Sequence, residues 1–141
     1  RGADMKEEDI SSLIKYRIEQ AQTAIEDARF LFEGNRSPQS IVNRAYYAIF
    51  YAALALMQRI EKVPSKHTGI LSLFDTEFAL KGIFPKELSR DFHKAFELRQ
   101  LSDYKTLDPT SKEKAKETLD KAVIFVGAVK DYLDNLHNNN A

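Results

Sequence analysis

Apolar residues recur at alternating steps of three and four along most of the chain, which is the spacing typical of amphipathic α-helices. The first such stretch covers about residues 7–32, and its apolar stripe consists of Ile14, Ile18, Ala21, Ile25, Ala28 and Phe32. Gly34 and Asn35 follow it, and both residue types commonly end helices. Ser37 before Pro38 predicts the start of the next helix, because serine caps a first turn and proline fits inside it.

The same pattern predicts four more segments after Ser37. A second helix runs to about Glu61, a short helix covers residues 68–80, and a fourth helix follows Pro85 to about Asp103. A last helix starts at Thr110, where Thr110 and Glu113 have the spacing of a capping box. Four long helices with short connections favour an all-α, up-and-down bundle, with the short helix at one end.

Length and composition indicate one domain. We place the helical bundle at residues 5–137, interpret residues 1–4 as a vector-derived remnant before Met5, and expect residues 138–141 to be a frayed tail. The 141 residues include no cysteine, which excludes disulfides, thiolate ligands and a cysteine nucleophile. No signal pattern or apolar run of about 20 residues is apparent, so we expect a cytoplasmic protein without membrane contact.

Net charge and histidine spacing indicate which kinds of ligand the chain is not expected to bind. Twenty-one basic and 21 acidic residues give a formal net charge of zero, so overall charge does not favour binding to a polyanion. The three histidines do not occur at metal-ligand spacing, and we expect neither a metal nor a cofactor.

The second predicted helix is apolar almost all round between residues 40 and 57, yet it carries Arg44. This surplus of apolar surface places the helix at the centre of the bundle or against a second copy, so we expect a homodimer. Arg44, Tyr47 and Tyr51 share one face because they are spaced by three and four. A guanidinium matches the geometry of phosphate, and a phenol ring stacks on a base.

A second arginine on the fourth predicted helix completes the candidate site. Arg99 and Asp103 are four residues apart, and Tyr104 follows where that helix ends. If the two helices pack side by side, two guanidiniums, a carboxylate and several phenols form one pocket for a nucleotide or RNA. The structural alternative is that Arg99 pairs with Asp103 in an ordinary salt bridge. In that case Arg44 holds a neighbouring carboxylate, and the tyrosines are packing residues.

Lys66 and His67 lie at the predicted entrance of the short helix. Backbone N–H groups and two basic side chains at such a position can bind an anion. The more ordinary role for His67 is to cap the helix.

Three blocks, residues 43–53, 66–70 and 96–104, resemble the HEPN domain, and more closely its small prokaryotic single-domain branch. The resemblance implies a helical bundle that forms two-fold dimers. It also implies a component of a toxin–antitoxin or defence pair, in which a minimal nucleotidyltransferase is the antitoxin. Many members are metal-independent ribonucleases, and others bind nucleotides without cutting RNA.

The ribonuclease members carry an arginine followed, after four to six residues, by a histidine. Arg99 matches that arginine, but no histidine occurs in the seven residues after it. We therefore favour a module that binds a nucleotide or RNA. The alternatives are a ribonuclease toxin that uses Arg99, Asp103 and Tyr104 as catalytic residues, and a structural dimerisation or adaptor bundle.

Overall fold

A computed structural model describes residues 2–103 and 110–139 of the chain, and the side chains of residues 6–101 and 110–139. Within these ranges the ordered elements are helical, without a strand, which confirms the predicted all-α class. The α-helices are α1 Gly2–Glu33, α2 Pro38–Ile60, α3 His67–Phe74, α4 Lys86–Asp103 and α5 Lys112–Asn139, and a π-helical segment, Asp75–Ala79, continues α3.

The long helices alternate in direction, as predicted for an up-and-down bundle. The Lys6 ammonium lies 2.6 Å from the Glu61 carboxylate, so the start of α1 is beside the end of α2. At the opposite end, Lys112 Nζ donates to Asn35 Oδ1 at 2.7 Å, so α5 begins where α1 ends. An aromatic contact joins the turn before α4 to the C-terminal half of α5, and these two helices are therefore antiparallel as well.

Serine side chains cap the starts of two helices. Ser37 Oγ accepts from the backbone N–H of Ser40 at 3.3 Å and proline occupies the first turn, which confirms the predicted start of α2. At α5 the cap is Ser111, whose Oγ accepts from Lys114 N–H at 3.1 Å. The prediction that Thr110 caps this helix is therefore wrong by one residue.

Helix α2 is the centre of the bundle, in contact with α1, α3, α4 and α5. Its fully buried side chains include Ile49 and Leu56, each of which contributes about 1.5–3 kcal/mol by leaving water. Helix α2 is long and apolar enough to span a membrane, which the sequence-based expectation had not recognised, but 67% of its apolar window is buried inside the bundle. The central position explains the apolar composition of α2 without a second copy, and a cytoplasmic location stays a prediction.

The predicted short helix over residues 68–80 is divided between α3 and the π-helical segment. Leu80 N–H donates to Asp75 O at 2.8 Å, which closes the wide turn. Phe74, fully buried at the junction, contacts the rings of Phe78, Phe84, Phe92 and Phe125 at centroid distances of 5.2–5.9 Å. This aromatic cluster joins α3 to α4 and α5.

Gly69 allows the connection before α3 to pack tightly on the helix. A Cβ atom at Gly69 would lie 2.8 Å from Pro64 Cβ, which is closer than real Cβ atoms approach. Because Gly69 is two residues after His67, this close contact fixes the first turn of α3 and the side chain that begins it.

Candidate functional site

The guanidinium of Arg99 lies over two tyrosine rings of α2. Its Cζ atom is 5.4 Å from the ring centroid of Tyr46 and 5.2 Å from that of Tyr47. Cation–π contacts of this kind contribute about 0.5–2 kcal/mol, depending on how far the cation is removed from water. Helices α2 and α4 therefore pack side by side, which is the arrangement that a shared pocket requires.

Arg44 lies against the same tyrosine as Arg99. Its Cζ atom is 5.3 Å from the Tyr47 ring centroid. Both guanidiniums therefore contact the ring of Tyr47. Arg44 Nε and Nη2 donate to Asn43 Oδ1 at 3.2 and 3.1 Å. Among the described side chains no carboxylate pairs with Arg44, so the alternative in which it holds a neighbouring carboxylate is not observed there.

The tyrosines that the sequence places on one face of α2 are in contact. The ring centroids of Tyr47 and Tyr51 are 5.7 Å apart, with 39° between the ring planes. Both side chains are partly exposed. They extend the aromatic surface from the two arginines along α2, and such a surface can stack on a base.

His67 enters the same cluster from the start of α3. Its Nδ1 atom lies 2.7 Å from the phenol oxygen of Tyr46, and its ring stacks on Phe50 with a centroid distance of 4.2 Å. The N-cap residue of α3 is Lys66, with no side-chain hydrogen bond at the cap. His67 therefore binds a tyrosine across the bundle instead of capping its own helix, while Lys66 is exposed beside it.

Burial sets the protonation states of this pair. Burial raises the pKa of Tyr46, an effect that the Arg99 charge partly opposes, so the phenol stays protonated. Burial lowers the pKa of His67, and the positive charge of Arg99 lowers it further. The imidazole is therefore neutral at pH 7, with one nitrogen a donor and the other an acceptor.

The Asp103 side chain and Tyr104 lie outside the described residues, and the predicted pairing of Arg99 with Asp103 is outside them too. His93, which is near the middle of α4, lies with its Nε2 atom 2.7 Å from Asp75 Oδ2. No group of three or more His, Asp or Glu side chains in the described part of the chain has the arrangement of a metal site.

Sequence analysis missed Tyr46 and Phe50 as members of the site. Tyr46 is fully buried and contacts Arg99 and His67 together, so it links α2 to α3 and α4. The available signal was the polar phenol on the inward face of a buried helix, since a buried phenol hydroxyl usually has a hydrogen-bond partner.

Comparison with known proteins agrees with this architecture. The sequence model of the HEPN domain matches residues 14–132, which is most of the chain. The chain belongs to the HEPN domain family. The matched range includes the residues of the cluster described above, from Arg44 on α2 to Arg99 on α4.

Relatives of this HEPN domain occur in bacteria and archaea. A Thermotoga maritima protein named "UPF0332 protein" is 35% identical over 124 residues, covering 88% of this chain and 93% of its own length. Two Methanocaldococcus jannaschii proteins are named "Putative toxin MJ0605" and "Putative toxin MJ0142". The first is 35% identical to this chain, and the match covers 91% of this chain and 94% of the relative. The second is 34% identical, and the match covers 82% of this chain and 78% of the relative.

Proposed function

We propose that this HEPN domain binds the phosphate of a nucleotide or of single-stranded RNA in the pocket formed by Arg44, Tyr47 and Arg99. The observation that carries the proposal is the placement of two guanidiniums against one partly exposed tyrosine ring. Guanidinium groups offer paired donors to phosphate, and the ring beside them offers a stacking surface for a base.

The electrostatics of the pocket support an anionic ligand. Arg44 donates to a neutral amide, so its positive charge is not neutralised by the described side chains. The contacts of Arg99 with Tyr46 and Tyr47 orient its guanidinium before a ligand arrives, which lowers the entropy lost on binding. This local charge allows anion binding even though the chain has no net charge.

The biological setting that we propose is a toxin–antitoxin or defence pair with a nucleotidyltransferase partner. Two relatives whose names include "putative toxin" support the toxin part, and the nucleotidyltransferase follows from the resemblance of the three sequence blocks. Co-purification of the chain with a minimal nucleotidyltransferase encoded beside it would test the pairing. A homodimer belongs to the same proposal, and a monomer by light scattering at micromolar concentration would refute it.

A second candidate function is metal-independent RNA cleavage. The favouring observation is that the His67 imidazole contacts the same two tyrosine rings as the Arg99 guanidinium, although the seven residues after Arg99 contain no histidine. Such cleavage needs a base for the 2′-hydroxyl and a cation for the transition-state charge. RNA loss in EDTA that requires both Arg99 and His67 would support it, and equal RNA loss with the Arg99→Ala variant would refute it.

The binding proposal is tested by fluorescence anisotropy with a labelled single-stranded RNA. We expect Arg99→Ala to weaken binding by about tenfold or more, because it removes a charge-assisted hydrogen bond. Arg90→Ala is the matched control, since Arg90 is exposed on the same helix and pairs with Glu87. Wild-type RNA binding that both variants retain equally, or no binding by the wild type, would refute the proposal.

A further inference from the structure

Arg17 on α1 is partly buried, yet no carboxylate among the described side chains pairs with it. Its Nη1 atom donates to Gln20 Oε1 at 2.8 Å, and its Cζ atom lies 5.6 Å from the ring centroid of the exposed Tyr16. Its Nε atom is buried and has no hydrogen-bond partner in the described part of the chain. Because a buried N–H donor without a partner costs free energy, packing alone does not explain an arginine at this position.

Arg17 belongs to a row of α1 residues that borders α2. The row recurs at steps of four and three, and its first member, Lys6, lies 2.6 Å from the carboxylate of Glu61 at the end of α2. A matching row runs back along α2 from Glu61 at steps of three and four. The α1 row is Lys6, Ile10, Leu13, Arg17, Gln20 and Ala24, and the α2 row is Glu61, Gln58, Leu54, Tyr51, Tyr47 and Arg44. Residues with this spacing share one helix face, so the two rows run side by side from the ion pair.

The same ion pair sets which residues of the two rows are level with each other. The helices are antiparallel, and a short connection joins them at the far end, so they stay adjacent in between. Arg17 is eleven residues in from Lys6, and Phe50 is eleven residues back from Glu61. Because both helices have the same rise per residue, Arg17 is level with Phe50, beside Tyr51 of the facing row.

Arg17 and the α2 row form one polar and aromatic surface. From Arg17 the surface passes over Tyr51 and Tyr47, whose ring centroids are 5.7 Å apart, to Arg44, whose Cζ atom is 5.3 Å from the Tyr47 centroid. All four side chains are partly exposed. Beyond the ion pair at its other end, neither row contains an acidic residue. The surface therefore has an arginine at each end and two stacking rings between them, the combination that suits single-stranded RNA.

The separation of the two arginines favours two phosphate groups over one. Arg44 is six residues along α2 from the level of Arg17, which is a rise of about 9 Å. One phosphate can bind both guanidiniums only where both are within hydrogen-bond distance of its oxygens. Two phosphates of one strand can instead occupy the two ends, while a base lies on the rings between them.

We propose that Arg17 is a second phosphate-binding residue, so that one RNA strand lies along α2 with a phosphate at Arg44 and another at Arg17. The Gln20 bond orients the Arg17 guanidinium for this contact. The inference rests on the proposed function, because it extends the same site from α2 onto α1. The ligand class that follows is a single-stranded RNA with at least two phosphates, in preference to a mononucleotide.

The salt dependence of RNA binding tests the second phosphate contact. Losing one phosphate contact makes the slope of log K against log salt concentration less negative by about 0.7 for a single strand. We expect this change in Arg17→Met, together with an affinity for a short oligoadenylate that is lower by about tenfold or more. Arg17→Lys keeps the charge and should keep the wild-type slope. Arg29→Met is the matched control, since Arg29 is exposed on the same helix outside the row.

Comparison with AMP tests whether the site spans two phosphates. AMP has one phosphate, so the wild type should bind the oligoadenylate about tenfold more tightly than AMP, the factor for one charge-assisted contact. Arg17→Met should remove this ratio of affinities, whereas Arg44→Met should weaken both ligands and keep the ratio. Urea denaturation of each variant confirms that the protein compared is folded. A ratio that Arg17→Met leaves intact would overturn the inference.

The outcomes separate the two proposals. Oligoadenylate binding that depends on Arg44 and Arg99, but keeps its affinity and salt slope in Arg17→Met, would overturn the role of Arg17 and leave the proposed function standing. Equal losses in Arg17→Lys and Arg17→Met would also overturn that role, because the charge would not matter. No binding by the wild type, or binding that does not depend on Arg99, would overturn both proposals.

Discussion

Replacing Tyr46 with phenylalanine isolates the bond between α2 and α3. The phenol ring is fully buried and is surrounded by aromatic rings at centroid distances of 5.2–6.3 Å, so a phenylalanine ring fits the same space. The substitution removes only the hydroxyl that lies 2.7 Å from His67 Nδ1. The cation–π contact with Arg99 remains, because phenylalanine also presents a ring face.

The expected loss follows from the position of the bond. A hydrogen bond contributes about 0.5–1.5 kcal/mol net, and a polar atom stranded in the interior costs about 1–3 kcal/mol. His67 is partly exposed, but its Nδ1 faces the buried phenol. We therefore expect Tyr46→Phe to lower the free energy of unfolding by about 1–2 kcal/mol.

Urea denaturation followed by circular dichroism at pH 7.5 measures this loss, with the protein concentration fixed because a dimer would make stability depend on it. Tyr16→Phe is the matched control, since Tyr16 is 53% exposed and its hydroxyl makes no hydrogen bond in the described structure. A double-mutant cycle with His67→Phe should show coupling, because removing both polar partners strands neither. Additive losses, or no loss from Tyr46→Phe, would refute the bond.

Three further predictions concern pH, backbone and core. The pKa of His67 is lowered in the folded protein, so its contribution to stability is complete above pH 6.5 and is lost as the pH falls through the folded-state pKa. Urea titrations at several pH values should show this fall in the free energy of unfolding for the wild type and not for His67→Gln. Gly69→Ala should destabilise the protein by about 1–3 kcal/mol, because the new Cβ atom clashes with Pro64. Gly127→Ala has open space around it and should stabilise the protein by about 0.5–1 kcal/mol. Thermal melts of both variants would check the opposite signs. Phe74→Ala should cost about 3–5 kcal/mol in urea unfolding, against almost nothing for Leu80→Ala at 79% exposure, and similar losses would contradict the aromatic core at the α3 junction.

Local signals explain why the helices were predictable. The start of α2 depends on Ser37 and a proline one residue later, and both act within a single turn. The apolar composition of α2 predicted either a central helix or a helix face against a second copy, and α2 is central, in contact with α1, α3, α4 and α5. The π-helical segment was not predictable in the same way, because the wide turn closed between Asp75 and Leu80 has no sequence signal of its own.

The pocket was only partly predictable, because it depends on contacts between distant residues. The spacing of Arg44, Tyr47 and Tyr51 within α2 gave their common face directly. The bond between Tyr46 and His67 joins residues 21 positions apart, and no periodicity along one helix can indicate it. The resemblance to HEPN domains indicated the importance of both segments without indicating that they touch.

The position of His67 relative to Arg99 depends on how both ends of the segment that begins with α3 are held. At its start, the contact between Gly69 and Pro64 fixes the first turn. At the α3–π junction, Asp75 accepts one hydrogen bond from Ser89 and pairs with His93 at 2.7 Å, and both partners lie on α4. Because α4 also carries Arg99, the Asp75 contacts join the helix of the imidazole directly to the helix of the guanidinium. A change at Asp75 is therefore expected to alter the candidate site without touching a ligand, by changing the distance between the His67 imidazole and the Arg99 guanidinium.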